Sequence, residues 1–273
     1  MPRRVECSST TAYSPAADSP MDHITEPSAN EVVPRSAAVT VVTVCRNPGP
    51  LLTEVIASVA ALRRSDVAHI VIDGASTDGT IEYLRSGPHH VTWWGSEPDT
   101  GIYDAMNKGW AVADPDSYVL FLGADDRLLS LPTQQELCDA RNSGAALIYG
   151  DAVIGETPFR SHFTAELLTA NTLHHQALLI RKAAHPDPPF NTKYRVFGDW
   201  DFNVRLWKRG EKAVYLPSLR SYAGPGGVSG TRPLGEVFDL VRNHVGLWTA
   251  CIVSVRVAKR KLQAQVARRV RAS

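Results

Sequence analysis

The chain has 273 residues, 44% of them apolar, and a net charge of +1. That suits one large domain or two small ones and carries no overall nucleic-acid signature. The charge is uneven: seven Lys and Arg and no Asp or Glu fall between Arg256 and Ser273, so the remainder is net acidic. No apolar run reaches the roughly 18 residues of a membrane span; the longest, VGLWTACIVSV at 245–255, also holds Gly, Thr and Ser. Arg3 and Arg4 are not followed by the apolar stretch of a signal peptide. Cys7, Cys45, Cys138 and Cys251 form no CxxC pair and no metal-ligand spacing, the usage of reduced thiols in a cytosolic protein.

Residues 1–37 are rich in Ser, Pro, Ala and Thr without period, the composition of a disordered segment. The fold is expected to start at AAVTVVTV, a β-branched run closed by RNPGP. Pro50 suits the first helical position, and LLTEVIASVAAL then carries helical spacing. The alternation repeats: HIVID is a strand, TDGTIEYLRSG a short helix with a polar cap and a Gly stop, HVTWW a strand, TGIYDAMNKGWAVA a helix, SYVLFLG a strand. Such alternation predicts an α/β fold with a mostly parallel sheet covered by helices on both faces. It also gathers the loops after the strand ends on one edge, where open α/β sheets bind ligands. Beyond residue 131 a helix (LPTQQELCDARNSG), two strands (ALIYGDAVIG, HQALLIR), a helix (DWDFNVRLWKRG) and a strand (KAVYLPS) are expected, then a basic amphipathic helical tail. The divisions read 1–37, 38–235 and 236–273, and no internal repeat is visible.

Three acidic clusters fall on the ligand edge. Asp73 follows HIVI, Asp99 follows WWGSEP, and Asp125 with Asp126 follow VLFLG. An acid after a strand is commonly a turn former or helix N-cap, and Asp78 before Gly79 reads that way. Two adjacent carboxylates after a buried strand exceed what a cap needs, and a hard divalent cation would relieve their repulsion while sharing its other positions with phosphate. No Walker loop and no GxGxxG follows the first strand, which excludes a P-loop ATPase and a Rossmann dehydrogenase.

Taken together, VTVVTVCRN, VIDGASTDGT, SEPDTGIYDAMNKG, VLFLGADD, HQALLIRK, FGDWDFNVRLWKRG and GGVS, in that order over roughly residues 38–230, resemble a GT-A-fold family-2 glycosyltransferase of the bacterial polysaccharide and envelope-glycolipid type. The resemblance implies an inverting transferase using a nucleotide-sugar donor, a Mg²⁺ or Mn²⁺ cofactor, and a lipid-linked or saccharide acceptor. It places Asp73 at the nucleotide base and Asp125 at the metal, with Asp126 toward the donor sugar or supporting the metal. Asp99 and Lys108 border the diphosphate. His175 and Gln176 fall on the acceptor side, and GGVS near the active site. The sequence departs from the family pattern at Gly123, where an acid is common, leaving Asp125 and Asp126 as a reduced metal site with water in the vacant position.

Inverting transfer needs one general base for the acceptor hydroxyl, and GDWDF offers Asp199 and Asp201. Residues two apart on a helix point about 200° apart, so one site takes only one of them. Asp201 has Arg205 at i+4, the spacing of a local ion pair, whereas Asp199 has Asn203 there and no basic partner. The resemblance also falls on Asp199. Asp104 and Lys108 stand at i, i+4 as well, so a surface pair competes with a donor role for Lys108. Trp93, Trp94 and Trp200 read as core, though Trp200 adjoins the proposed base on the acceptor side. The basic tail reads either as a solvated helix or as one lying on anionic lipid, which sets the expected place in the cytoplasm, peripheral at the inner face of the plasma membrane. A non-catalytic sugar-nucleotide-binding protein and a nucleotidyltransferase are the alternatives.

Overall fold

The computed structural model describes residues 37–87, 90–185, 188–224 and 233–272; the expected N-terminal disorder and the GGVS loop lie outside the described residues. The first strand, β1 (Val39–Cys45), forms where β-branched residues leave no helical spacing, and every one of its residues is buried. A helix α1 (Leu51–Ala60) follows, with Pro50 one position earlier than expected, at the N-cap. Then come β2 (Val67–Asp73), α2 (Thr80–Arg85), β3 (Trp93–Ser96), α3 (Ile102–Val112) and β4 (Tyr118–Gly123). The second half holds β5 (Arg127–Ser130), α4 (Gln134–Asn142), β6 (Leu147–Ile154), β7 (Thr157–Phe159), β8 (Leu178–Arg181), α5 (Gly198–Lys208), β9 (Ala213–Ala223), α6 (Leu234–His244) and α7 (Leu247–Ala272). Helix α4 starts on a capping box: the Thr133 hydroxyl accepts from the Glu136 amide while the Glu136 carboxylate accepts from the Thr133 amide.

One sheet runs β3-β2-β1-β4-β8-β6-β9-β5, with β7 paired to β6. Its first four strands are parallel, as the alternation predicts. The rest is mixed: β8 inserts antiparallel between β4 and β6, β9 runs parallel to β6, and β5 closes antiparallel on β9. The architecture is thus α/β with a mixed sheet flanked by helices. The sheet is less parallel than expected because β8 enters through a short turn at 175–177 rather than a helical crossover, which an antiparallel neighbour does not need.

Period-two alternation splits the core into two layers. On β4, Val119 and Phe121 face α3, α5, α6 and α7, while Tyr118, Leu120 and Leu122 face α1, α2 and α4. Phe121 is fully buried between Trp110 and Phe190, with ring centroids 6.4 and 5.1 Å away; truncating it to Ala would cost about 3–5 kcal/mol. Val237, Leu240, Val241, Ala250 and Val253 belong to the same layer, so the core continues past the expected boundary at 235. Helix α6 is also pinned to α5: the Glu236 carboxylate accepts from the amides of Arg195, Val196 and Phe197 at 2.9, 3.0 and 3.2 Å. Cys45 and Cys251 are free thiols. Among the described residues no helix is long and apolar enough to cross a membrane.

Candidate active site

In-register pairing sets Asp73 beside Cys45 and Gly123 beside Val44, so β2, β1 and β4 end level. Strand order reverses at β1, with β2 on one side and β4 on the other, the crevice position where such sheets take ligands. Asp73 is wholly buried. Its Oδ2 accepts from the Ser76 amide at 2.9 Å and the Ser96 hydroxyl at 2.6 Å, and its Oδ1 accepts from the Ser76 hydroxyl. Burial and the Asp73 charge push the neighbouring Cys45 thiol far up, so it stays protonated. The loops after β1 and β2 are stitched together. The Asn47 amide donates to Ser76 Oγ at 2.7 Å, the Thr77 amide to Asn47 Oδ1 at 2.7 Å, and the Gly49 amide to Asp78 Oδ2 at 2.8 Å. Asp78, just before the Gly79 N-cap, also accepts from the Thr80 hydroxyl at 2.6 Å and the Thr80 amide at 3.3 Å.

Asp99 lies over the end of β2: a Cβ on Gly74 would fall 2.2 Å from its Oδ2, and its Oδ1 accepts from the Gly101 amide at 2.9 Å. Lys108 does not pair with Asp104 as its spacing suggested. It reaches back to Glu97 at 2.9 Å and the Pro98 carbonyl at 2.7 Å, fixing the turn before Asp99. Asp104 instead caps α3, accepting from the Thr100 amide and hydroxyl at 2.9 and 3.1 Å, which lowers its pKa.

The adjacent acids after β4 differ sharply. Asp126 is buried, with Oδ2 accepting from the Gly123 amide at 2.6 Å and Oδ1 from the Gly224 amide at 3.2 Å and Gln176 Nε2 at 3.4 Å. Burial raises its pKa against the opposing pull of His175 and these amides. Asp125 is half-buried, and among the described residues no hydrogen bond engages its carboxylate. A Cβ at Gly123 would sit 3.1 Å from Asp125 Oδ1 and 3.2 Å from Asp126 Oδ2. The two carboxylates therefore crowd the position where a side chain at 123 would stand. Among the described residues no three His, Cys, Asp or Glu side chains form a cation cage. One half-buried carboxylate left without a hydrogen bond among the described residues fits instead a Mg²⁺-like ion, which takes one or two carboxylates and fills its shell with phosphate and water. Asp126, with both oxygens occupied, fits the supporting role better than direct ligation.

At the start of α5, Asp199 is 9% exposed. Its Oδ1 accepts from Tyr103 Oη at 3.0 Å and the Trp200 amide at 2.8 Å; Oδ2 accepts from Asn171 Nδ2 at 2.9 Å and lies 3.5 Å from His175 Nδ1. Asp199 therefore has a basic partner after all, brought from the β8 approach rather than from its own helix. Burial would raise its pKa, but the His175 contact and charge, His174 and Tyr103 outweigh it, and the pKa falls below the usual carboxylate value. His175 moves the other way: burial would lower it, yet Asp199 first and then Asp126 and Asp125 raise it. A Cβ on Gly198 would lie only 2.8 Å from the Tyr103 ring. Close packing of α5 on α3 at Gly198 is what brings the phenol to Asp199. Asp201 points elsewhere, paired with Arg205 at 2.9 Å and His244 at 2.7 Å.

Residues 174–176 join the two acidic centres. Gln176 Nε2 faces Asp126 while its Oε1 bonds His174 Nδ1 at 2.7 Å, and His175 stands between the charges on both sides. Gln176 thus sits against the strand-end acids. Trp200 is buried, its Nε1 donating to the Leu167 carbonyl at 2.6 Å, the core placement its sequence context suggested. Sequence reasoning missed Tyr103, Asn171, Ser76, Ser96 and Glu236. Tyr103 and Ser76 lie inside motifs already singled out; Asn171 sits in a loop with no pattern around it.

Fold and edge together define a GT-A-type α/β domain with its acids at the strand ends. Residues 40–131 match the family model of glycosyl transferase family 2. A PGL/p-HBAD biosynthesis glycosyltransferase from Mycobacterium bovis is 31% identical over 172 residues, 59% of this chain and 66% of that relative, so the chain spans just under two thirds of the relative's length. An uncharacterized glycosyltransferase from Mycobacterium tuberculosis is 43% identical over 90 residues, covering 33% of this chain and 34% of its own. Two solved structures share the fold. One is Staphylococcus aureus TarS 1-349 in complex with UDP-GlcNAc, with TM-score 0.59, 16% identity and coverage of 75% of this chain and 64% of that one. The other is the Pyrobaculum calidifontis mannosyltransferase PcManGT in complex with GDP-Man and Mn²⁺, with TM-score 0.53, 16% identity and coverage of 86% and 81%. The chain is thus similar to glycosyl transferase family 2 over residues 40–131 and shares the fold of solved glycosyltransferases.

Proposed function

We propose that this chain is an inverting, hexosyltransferase-type glycosyltransferase that moves a sugar from a nucleotide-diphosphate donor to an acceptor hydroxyl in cell-envelope polysaccharide or glycolipid synthesis. The family match over residues 40–131, the name of the mycobacterial relative and the donors held by the solved neighbours support the class. The observation that carries the mechanism is the pairing of one unengaged carboxylate, Asp125, with one buried but ionised carboxylate, Asp199, across the 174–176 segment. In this reading residues 38–235 form the catalytic unit, 236–273 follow with α6 and the start of α7 packed into the same core, and the protein works in the cytoplasm on a lipid-linked or saccharide acceptor.

Asp73 holds the 74–77 loop in shape for the nucleoside, with Asp99 and the Lys108-anchored turn beside it. Asp125 would hold a Mg²⁺ or Mn²⁺ ion on the donor diphosphate, with Asp126 setting the loop; when bound, that ion would supply positive charge to the leaving diphosphate. Asp199 accepts the proton of the acceptor hydroxyl as its oxygen bonds to the anomeric carbon and the bond to the nucleotide diphosphate breaks. The oxygen arrives opposite the leaving group, so the centre inverts and no enzyme–sugar bond forms. His175 keeps Asp199 ionised before the acceptor arrives.

The rival reading, a non-catalytic nucleotide-sugar binder, draws on Gly123. A thermal-shift screen of UDP-, GDP- and dTDP-sugars with and without Mn²⁺, followed by a transfer assay with the stabilising donor, separates the two. Stabilisation by one donor with transfer supports the enzyme; stabilisation without transfer or hydrolysis supports the binder; no stabilisation by any donor overturns both.

A further inference from the structure

Helix α7 carries a second surface that glycosyl transfer does not use. Its buried side, Ala250 and Val253, packs into the core. The opposite side leaves Trp248 83% exposed, Ile252 53%, Val255 68% and Leu262 63%. At about 100° per residue these four fall within about 80° of one another, an apolar stripe interrupted by Lys259 rather than scattered exposure. The stripe begins at the α6–α7 elbow, where Leu247 and Val245 are also exposed. Val245 lines a cleft of about 720 Å³ with Phe163, Leu168 and Trp207, so the apolar surface continues inward there.

Charge decides what covers this face. From Leu240 to Ser273 the sequence holds eight Lys and Arg and no Asp or Glu. Arg256 and Lys259 are exposed on the striped side of the helix. A second copy packed on it would bring cations against cations with no acid on the helix to answer them. An anionic bilayer answers both features: apolar side chains enter the acyl boundary while Lys and Arg stems extend to the headgroups.

We propose that the α6–α7 elbow and the exposed stripe of α7 dock on an anionic lipid surface, with Trp248 as the inserting residue. Helix α6 links this face to the site, since Glu236 clamps the 195–197 backbone directly before Asp199. The proposal goes beyond the transfer reading and stands or falls separately from it, because it is read by lipid binding alone.

The test uses the full chain with phosphatidylcholine vesicles with and without phosphatidylglycerol, by co-sedimentation at physiological salt. Trp248 is the most exposed tryptophan among the described residues, so brominated lipid should quench the emission of vesicle-bound protein. Trp248→Phe should still bind while losing most of that quenching. Trp248→Glu should lower partition by at least about tenfold with an unchanged thermal midpoint, as expected for an exposed position. Absence of binding to phosphatidylglycerol vesicles overturns the proposal. So does unchanged partition of Trp248→Glu, which marks charge attraction alone, or a solution dimer in which Trp248 is occluded.

Discussion

Two buried aspartates of this chain are held by different chemistry. Asp73 is fixed by an amide and two hydroxyls, groups whose charge does not change near neutral pH. Asp199 is fixed by a phenol, amides and a histidine, and the histidine titrates. The nucleoside corner should therefore be rigid and indifferent to pH, while the base corner should respond to it. Between them stands Asp125, left without a hydrogen bond among the described residues and thus open to a ligand.

The largest effect separating the corners should come from Asp73→Ala. It strands the Ser76 and Ser96 donors in a buried site and should lower stability by about 3 kcal/mol, equally at pH 6 and pH 8 in urea unfolding. A pH-dependent loss would break the contrast. Next, Asp125→Asn should leave stability near that of wild type but reduce Mn²⁺-dependent stabilisation by donor about tenfold in apparent affinity; unchanged Mn²⁺ dependence would remove Asp125 from the metal.

His175→Gln sharpens the comparison through pH. Asp199 has a lowered pKa, so its share of stability is present above the ordinary Asp value of 3.8 and is lost as pH falls through the lowered one. His175 has a raised pKa, so its share is present below the ordinary His value of 6.5 and is lost as pH rises through the raised one. Wild type should therefore lose stability on the alkaline side of that window, and His175→Gln should not. Removing His175 also raises the Asp199 pKa, so the acid limb of the pH–rate profile should move to higher pH; a limb that stays in place contradicts the coupling. The smallest effect is expected of Lys108→Met. Its partner Glu97 is 63% exposed, and the loss should stay under about 1 kcal/mol in urea unfolding; a larger loss would make the 97–99 turn part of the rigid corner.

These contrasts were unevenly visible in the sequence. Strands β1, β2 and β4 read correctly because residues buried on both faces leave long apolar runs, and their alignment followed from parallel pairing. The pairing of Asp201 with Arg205 was legible from their i+4 spacing, while the choice of Asp199 also drew on the resemblance. The antiparallel insertion of β8 was not legible, since strand order leaves no trace in local spacing. With it went the proximity of His175 to Asp199, 24 positions apart in sequence. Strands β5 and β7, four and three residues long, are too short for periodicity to register. Nor does sequence say which of two adjacent acids is satisfied: Asp126 is, because the Gly123 and Gly224 amides converge on it.

The central claim is that donor binding and proton removal sit on separate residues. It is tested most directly by Asp199→Asn, assayed with the donor that stabilises wild type. The account predicts wild-type donor affinity and loss of transfer by at least about 100-fold. Transfer at the wild-type rate would contradict it.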